Sequence, residues 1–331
     1  LNQKEAALLA QFTEYAAESE ACMAHLDSLP SLVAGFCSAE SAKSAENIVF
    51  TLNATHALNI AIKSLVKKDD RVVISGYEHN AVTRPLHGRG AEVLVAGRRL
   101  FDWDDTLTCF ERELKRKPKA AVFTHVSNVF GYILPVEEMA ALCRDRGVPF
   151  VIDVAQSAGS LPVSLEKLGA DFIAMPGHKG LLGPQGTGIL LCKDQAQPLL
   201  YGGTGSESIR QDMPDFLPDR LEAGTVNVPG IAGLCEGLKY LNCLGVERIH
   251  KKERLQTKRC AEALQKLGMQ VFAGEHQSGT VSFLPPMDCE EAAEKLAKMG
   301  IAVRAGLHCA PLAHESAGTL ETGTVRVSFG F

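Results

Sequence analysis

The chain has 331 residues, 46% of them hydrophobic, a formal net charge of −5 and a mean hydropathy near zero. That length suits one large domain plus a smaller one. The charge argues against nucleic acid or an anionic membrane as partner, and no apolar run approaches the roughly 18 residues of a membrane span.

Ten cysteines are scattered from Cys22 to Cys309 with no Cys-x-x-Cys pair. This gives neither a zinc site nor a compact disulfide framework, and it points to a reducing, cytoplasmic setting. No signal peptide follows Leu1, and the sequence stops at Phe331 just after a strand pattern. Continuation beyond both ends is expected.

Residues 1–45 are Ala-, Glu- and Leu-rich and read as mainly helical. Residues 46–52 form the first strand, and Asn53 and Thr55 open a helix running to about Lys67. Free amides at such a helix start bind phosphate, although either side chain could simply cap the helix. A βα rhythm follows, with a strand at Arg71–Ser75, an exit loop holding His79, a helix near 81–88 and a strand at 92–96. After a connecting segment come a strand at 120–125 ending near Asn128 and a helix over 136–146, between Pro135 and Gly147. Strands alternating with helices in this way predict a mostly parallel, doubly wound sheet.

The run from Phe150 to Ile152 is continuously apolar, as in a central parallel strand. Asp153 stands at its carboxyl end, where open α/β sheets place their ligands, and Gln156 follows. A second buried strand at 172–175 delivers Lys179 into a loop with glycines at 177, 180, 183, 186 and 188. A strand-end lysine with a carboxylate close by suits pyridoxal phosphate. Its aldehyde needs an amine, and its ring nitrogen needs an acid to stay protonated. Gly183-x-x-Gly186-x-Gly188 is no dinucleotide fingerprint, because it precedes a strand instead of opening a helix after one.

Residues 201–227 are loop-rich, a feature of functional or subunit-bracing segments. Helix then extends from Pro229 to about Leu267, softened at Gly245, and leads into strands near 280–284, 301–304 and 324–329 with a helix near 289–299. The loop 305–323 carries His308-Cys309 between Arg304 and Arg326, a setting that favours a reactive thiol. His308, Cys309 and His314 lack a fourth metal ligand nearby, so no metal is expected.

The motifs EHNAV, HVSNVFG, IDVAQSAG, GHKGLLGPQGTG, EAGTVN and VRAGLHCAPLAH with TVRVSFG occur in that order. Together they make the sequence from Glu46 to Phe331 resemble the class V aminotransferase family, specifically its cysteine desulfurase and selenocysteine lyase branch. The resemblance implies an α/β chain of PLP fold type I, with a large cofactor domain over 1–235 and a small C-terminal α/β domain over 236–331. It implies that Lys179 carries pyridoxal 5'-phosphate, Asp153 pairs with the ring nitrogen, Gln156 with the phenolate oxygen, and His79 stacks on the ring. Thr55 and His178 would bind phosphate, with Thr225 reaching in from the second subunit of a homodimer.

Asn128, Arg304 and Arg326 would hold the amino-acid substrate, cysteine or selenocysteine, and Cys309 would become a persulfide for a sulfur-acceptor protein. A class V aminotransferase or lyase acting on another amino acid is the alternative, and a non-catalytic sulfur-relay protein a further one. Pro176 and Ala54 stand where relatives often have hydroxyl residues, and Leu307 replaces a histidine found in some of them.

Overall fold

The computed structural model describes residues 33, 47–165, 167–193 and 196–330. The helical expectation for 1–45 lies outside the described residues apart from Val33.

Seven strands form the large sheet: β1 (Ile48–Thr51), β2 (Arg71–Ser75), β3 (Glu92–Ala96), β4 (Ala120–Thr124), β5 (Phe150–Asp153), β6 (Phe172–Pro176) and β7 (Gly188–Cys192). Their order is β1-β7-β6-β5-β4-β2-β3, with β7 alone running against its neighbours. The expected mostly parallel, doubly wound sheet is present.

Alternate residues of each strand serve opposite faces, as the two-residue period of a strand requires. Val73, Phe123, Ile152 and Ile173 join one buried cluster, while Val72, Val122, Val151 and Phe172 join the other. Helices α1 (Ala54–Leu65) and α2 (Asn80–Arg89) cover the second face with Leu58, Ile62, Val82 and Leu86. The first face is covered by α3 (Trp103–Leu114), α4 (Val136–Arg146) and α5 (Val228–Leu244), through Phe110, Met139 and Leu234 among others.

Helix α3 occupies what reads in the sequence as a connecting segment. Asp102 caps it by accepting from the Asp105 amide, and Asp104 and Asp105 favour its positive N-terminal end. The long helical pattern from residue 229 breaks at Gly245 (φ +81°), giving α5 and α6 (Val246–Lys266). Residues 201–227 contain neither helix nor strand.

The second sheet is antiparallel, ordered β10-β11-β9-β8, from β8 (Gln270–Phe272), β9 (Thr280–Leu284), β10 (Arg304–Gly306) and β11 (Thr324–Ser328). Helix α7 (Cys289–Lys298) packs on it around Phe283 and Val325. Strand β10 begins at Arg304, where the expected strand would end, because its pairing is set by β11 and not by the apolar residues Ile301 and Val303. The expected loop 305–323 contains a short helix, α8 (Pro311–Ala317), started by Pro311 and ended by Gly318 at φ +69°. Among the described residues, no helix is long and apolar enough to cross a membrane.

Candidate active site

Strand ends of the large sheet and the edge of the small sheet enclose one cavity of about 580 Å³. Thr55, His79, Asn128, Asp153, Gln156, His178 and Lys179 line it from the large sheet, and Arg304, Cys309 and Arg326 from the small one. Thr225 is elsewhere, in a separate depression with Glu222 and Asn227.

Lys179 and Asp153 are held together by backbone. Ala158–Gly159 follow Asp153, and Gly180 follows Lys179. A Cβ on Gly159 (φ +92°) would fall 2.0 Å from the Gly180 carbonyl oxygen, and one on Gly180 would fall 2.3 Å from that of Ala158. Only glycine permits this approach.

Burial pushes the Asp153 carboxyl above the usual carboxylate range, against the Ala155 amide (2.9 Å) and the Lys179 charge. Burial lowers the Lys179 amine, Asp153 opposes, and Arg326 adds to the lowering. Lys179 is reached by solvent through the open cavity, yet protein crowds it on its other sides. A cationic group placed between these two would restore the charge on Asp153 without requiring a protonated lysine.

His79 caps α2, its Nδ1 accepting from the Ala81 amide at 3.0 Å. Burial, with Lys179 and Arg84 contributing, lowers it to about 4. The neutral ring therefore carries its proton on Nε2. Asn53, not Thr55, caps α1 by accepting from the His56 amide.

Arg304 and Arg326 are direct cross-strand partners in the β10–β11 register. Like charges so placed repel unless an anion joins them. Arg326 Nη1 donates to the Asn128 carbonyl at 2.9 Å, while its Nε and the Asn128 Oδ1 are buried without partners among the described residues. A carboxylate bearing an amino group would satisfy that unpaired donor and acceptor together.

Cys309 is exposed beside buried His308, and both have left-handed backbone (φ +56° and +52°), a conformation costing about 1–2 kcal/mol per residue. The His308 and His314 rings face each other, with nitrogens 3.4 Å apart.

Glu78 is the residue sequence reasoning missed. It lies in the exit loop between Tyr77 and His79, where the sequence assigns it no role, yet it is fully buried. Its Oε1 accepts from the Ser75 amide (3.3 Å), the Ser75 hydroxyl (2.6 Å) and the Thr124 amide (2.9 Å). Thr124 pairs with Asp153 in the sheet, so Glu78 braces the strand beside the cavity acid. Burial raises its carboxyl to about 8, with the three hydrogen bonds opposing and Asp153 assisting.

A raised folded-state value gives stability present below the unfolded value and lost as pH rises through the folded one. Glu78 therefore favours folding most below pH 4.5 and progressively less up to about 8. Glu78→Gln, whose amide oxygen can accept the same three bonds, is expected to flatten the slope of denaturation midpoint against pH across that window. An unchanged slope would show that Glu78 does not titrate there.

The aminotransferase class-V family model matches residues 15–331. The chain is 36% identical to a "probable cysteine desulfurase" of Pyrococcus abyssi over 315 residues, covering 90% of this chain and 77% of the relative. It is 35% identical over 316 residues to one of Methanothermobacter thermautotrophicus, with the same coverage of each. Among solved structures it resembles an apo cysteine desulfurase of Thermococcus onnurineus, with a TM-score of 0.84, 32% identity and coverage of 94% of this chain and 80% of that one.

Proposed function

The chain belongs to the aminotransferase class-V family, and from that premise we propose that it is a pyridoxal-phosphate-dependent cysteine desulfurase. It would convert L-cysteine to L-alanine and leave the sulfur as a persulfide on Cys309. The observation that carries this reading is one cavity wall bearing Lys179, Asp153, the opposed pair Arg304 and Arg326, and an exposed Cys309.

The residues present fit the cofactor. Among the described residues Asp153 has no cationic partner other than Lys179, the first amides of α1 open on the cavity, and His79 offers a neutral ring. When bound, pyridoxal phosphate supplies an aldehyde that condenses with amines and a ring that takes up electron density from the α-carbon. Thr55, His178 and the α1 amides would hold its phosphate. Asp153 would keep the proton on its ring nitrogen, Gln156 would hydrogen-bond its phenolate oxygen, and His79 would stack on the ring.

Arg326, with Arg304 behind it and Asn128 beside it, would grip the substrate carboxylate. Lys179 Nζ would carry the α-proton. Cys309 Sγ would attack the substrate sulfur. An S–S bond forms, the substrate C–S bond breaks with its electron pair passing to carbon, and alanine leaves after that carbon is protonated. Thr225, away from this cavity, would serve the cavity of a second copy in a homodimer. The persulfide would then pass to a sulfur acceptor.

The test is to incubate purified protein and pyridoxal phosphate with cysteine, selenocysteine and other amino acids, measuring alanine, released sulfide or selenide, and sulfur bound at Cys309. Cysteine or selenocysteine should give alanine in step with released or bound chalcogen. A protein that stays colourless with the cofactor, or passes an amino group to a keto acid and makes no persulfide, would overturn the reading.

A further inference from the structure

Cys309 occupies a left-handed backbone conformation while its own side chain is exposed. It and His308 are consecutive left-handed residues, neither of them glycine. Two bonds hold the turn by its carbonyls. Asn128 Nδ2 donates to the His308 carbonyl (2.8 Å), and the Asn80 amide donates to that of Cys309 (2.8 Å).

The other hold is the buried His308 ring. Its Nε2 lies 3.1 Å from the Arg304 carbonyl oxygen, and its Nδ1 lies 3.4 Å from His314 Nε2. His314 Nδ1 lies 2.8 Å from the Thr319 hydroxyl. A carbonyl oxygen can only accept, which assigns the protons of two neutral rings. His308 donates from Nε2, so its Nδ1 accepts from His314 Nε2–H. That leaves His314 Nδ1 to accept from the Thr319 hydroxyl.

All three protons point the same way, from Thr319 towards Arg304. Burial lowers both rings to about 4, against the hydrogen bonds at Arg304 and Thr319 and, for His308, with the Arg326 and Arg304 charges adding, which keeps them neutral. His314 and Thr319 are buried and do not line the cavity.

We infer that His314 and Thr319 are positioning residues for Cys309: their hydrogen-bond chain fixes the tautomer and orientation of His308, and so holds the left-handed turn that presents the thiol to the cavity. The catalytic consequence rests on the proposed persulfide chemistry, whereas the geometric part does not.

Three variants of the cofactor-loaded protein test this. Thr319→Val keeps the shape and removes the hydroxyl, Thr319→Ser keeps the hydroxyl, and His314→Phe keeps a ring without nitrogens. In Thr319→Val, amide hydrogen exchange over residues 306–310 should quicken by about five- to tenfold, the factor expected for one lost hydrogen bond. Single-turnover persulfide formation at saturating cysteine should fall by a similar factor with KM and cofactor absorbance unchanged. His314→Phe should reproduce both effects, and Thr319→Ser should match the parent.

Equal impairment of the serine and valine variants, or parental exchange in both Thr319→Val and His314→Phe, would overturn the inference. If the parent protein makes no persulfide at all, the proposed function fails, and the exchange measurement still decides the positioning role.

Discussion

Lys179→Ala is expected to lower alanine release from cysteine by more than about a thousandfold, the scale on which positioned proton transfer contributes. It should also abolish borohydride fixation of the cofactor to the protein. Lys179 is the one lysine on the cavity wall among the described residues. Burial and the Arg326 charge lower its pKa, with Asp153 opposing. A lowered value enlarges the fraction of neutral amine at a given pH, and only the neutral form has a lone pair to attack a carbonyl or take up a proton.

Lys179→Arg should be equally inactive, because guanidinium keeps the charge but does not release its proton in this range. Steady-state alanine production and mass spectrometry of the borohydride-treated protein check both variants. Retention of a tenth of parental activity in Lys179→Ala would remove this lysine from the chemistry.

Cys309→Ser is the second. Persulfide formation from cysteine should fall below detection while the cofactor absorbance stays parental. Cys309 is exposed and unbridged, so the exchange of sulfur for oxygen should move stability by no more than about 0.5 kcal/mol. The loss is then chemical, since a serine hydroxyl is not an activated nucleophile towards sulfur. Single-turnover mass spectrometry, reading the addition of one sulfur atom to the peptide containing residue 309, decides it. Persulfide at the parental rate in the serine variant would show that another residue is the acceptor.

Much of the large-sheet side of the cavity was legible in the sequence because β strand ends are local objects. The run Phe150–Ile152 followed by Asp153, and the run Phe172–Met175 followed shortly by Lys179, announce where their polar residues emerge. Helix α3 carries a local signal of the same kind, although its segment reads as a mere connection: Asp102 is a capping residue, and Trp103, Leu107, Phe110 and Leu114 recur at helical spacing.

Other features depend on tertiary structure. An apolar run fits a strand in either direction, so the reversal of β7 leaves no local trace. The opposition of Arg304 and Arg326 follows from a register fixed by pairing between segments twenty residues apart. Glu78 gains its third hydrogen bond from the amide of Thr124, distant in sequence, on the neighbouring strand. His314 reads as one more loop histidine until α8 turns it towards His308.

The seam between Gly159 and Gly180 divides this cavity into unequal halves. Acid and amine are geared to each other by main-chain atoms, so neither can be repositioned without carrying the other along. The thiol-bearing half comes from the loop between β10 and β11, and hydrogen bonds from Asn80 and Asn128, not interlocked backbone, tie it to the larger sheet's side. A lineage retooling this scaffold for new substrates would therefore find its freedom on the thiol side, with the amine side inherited as a single casting.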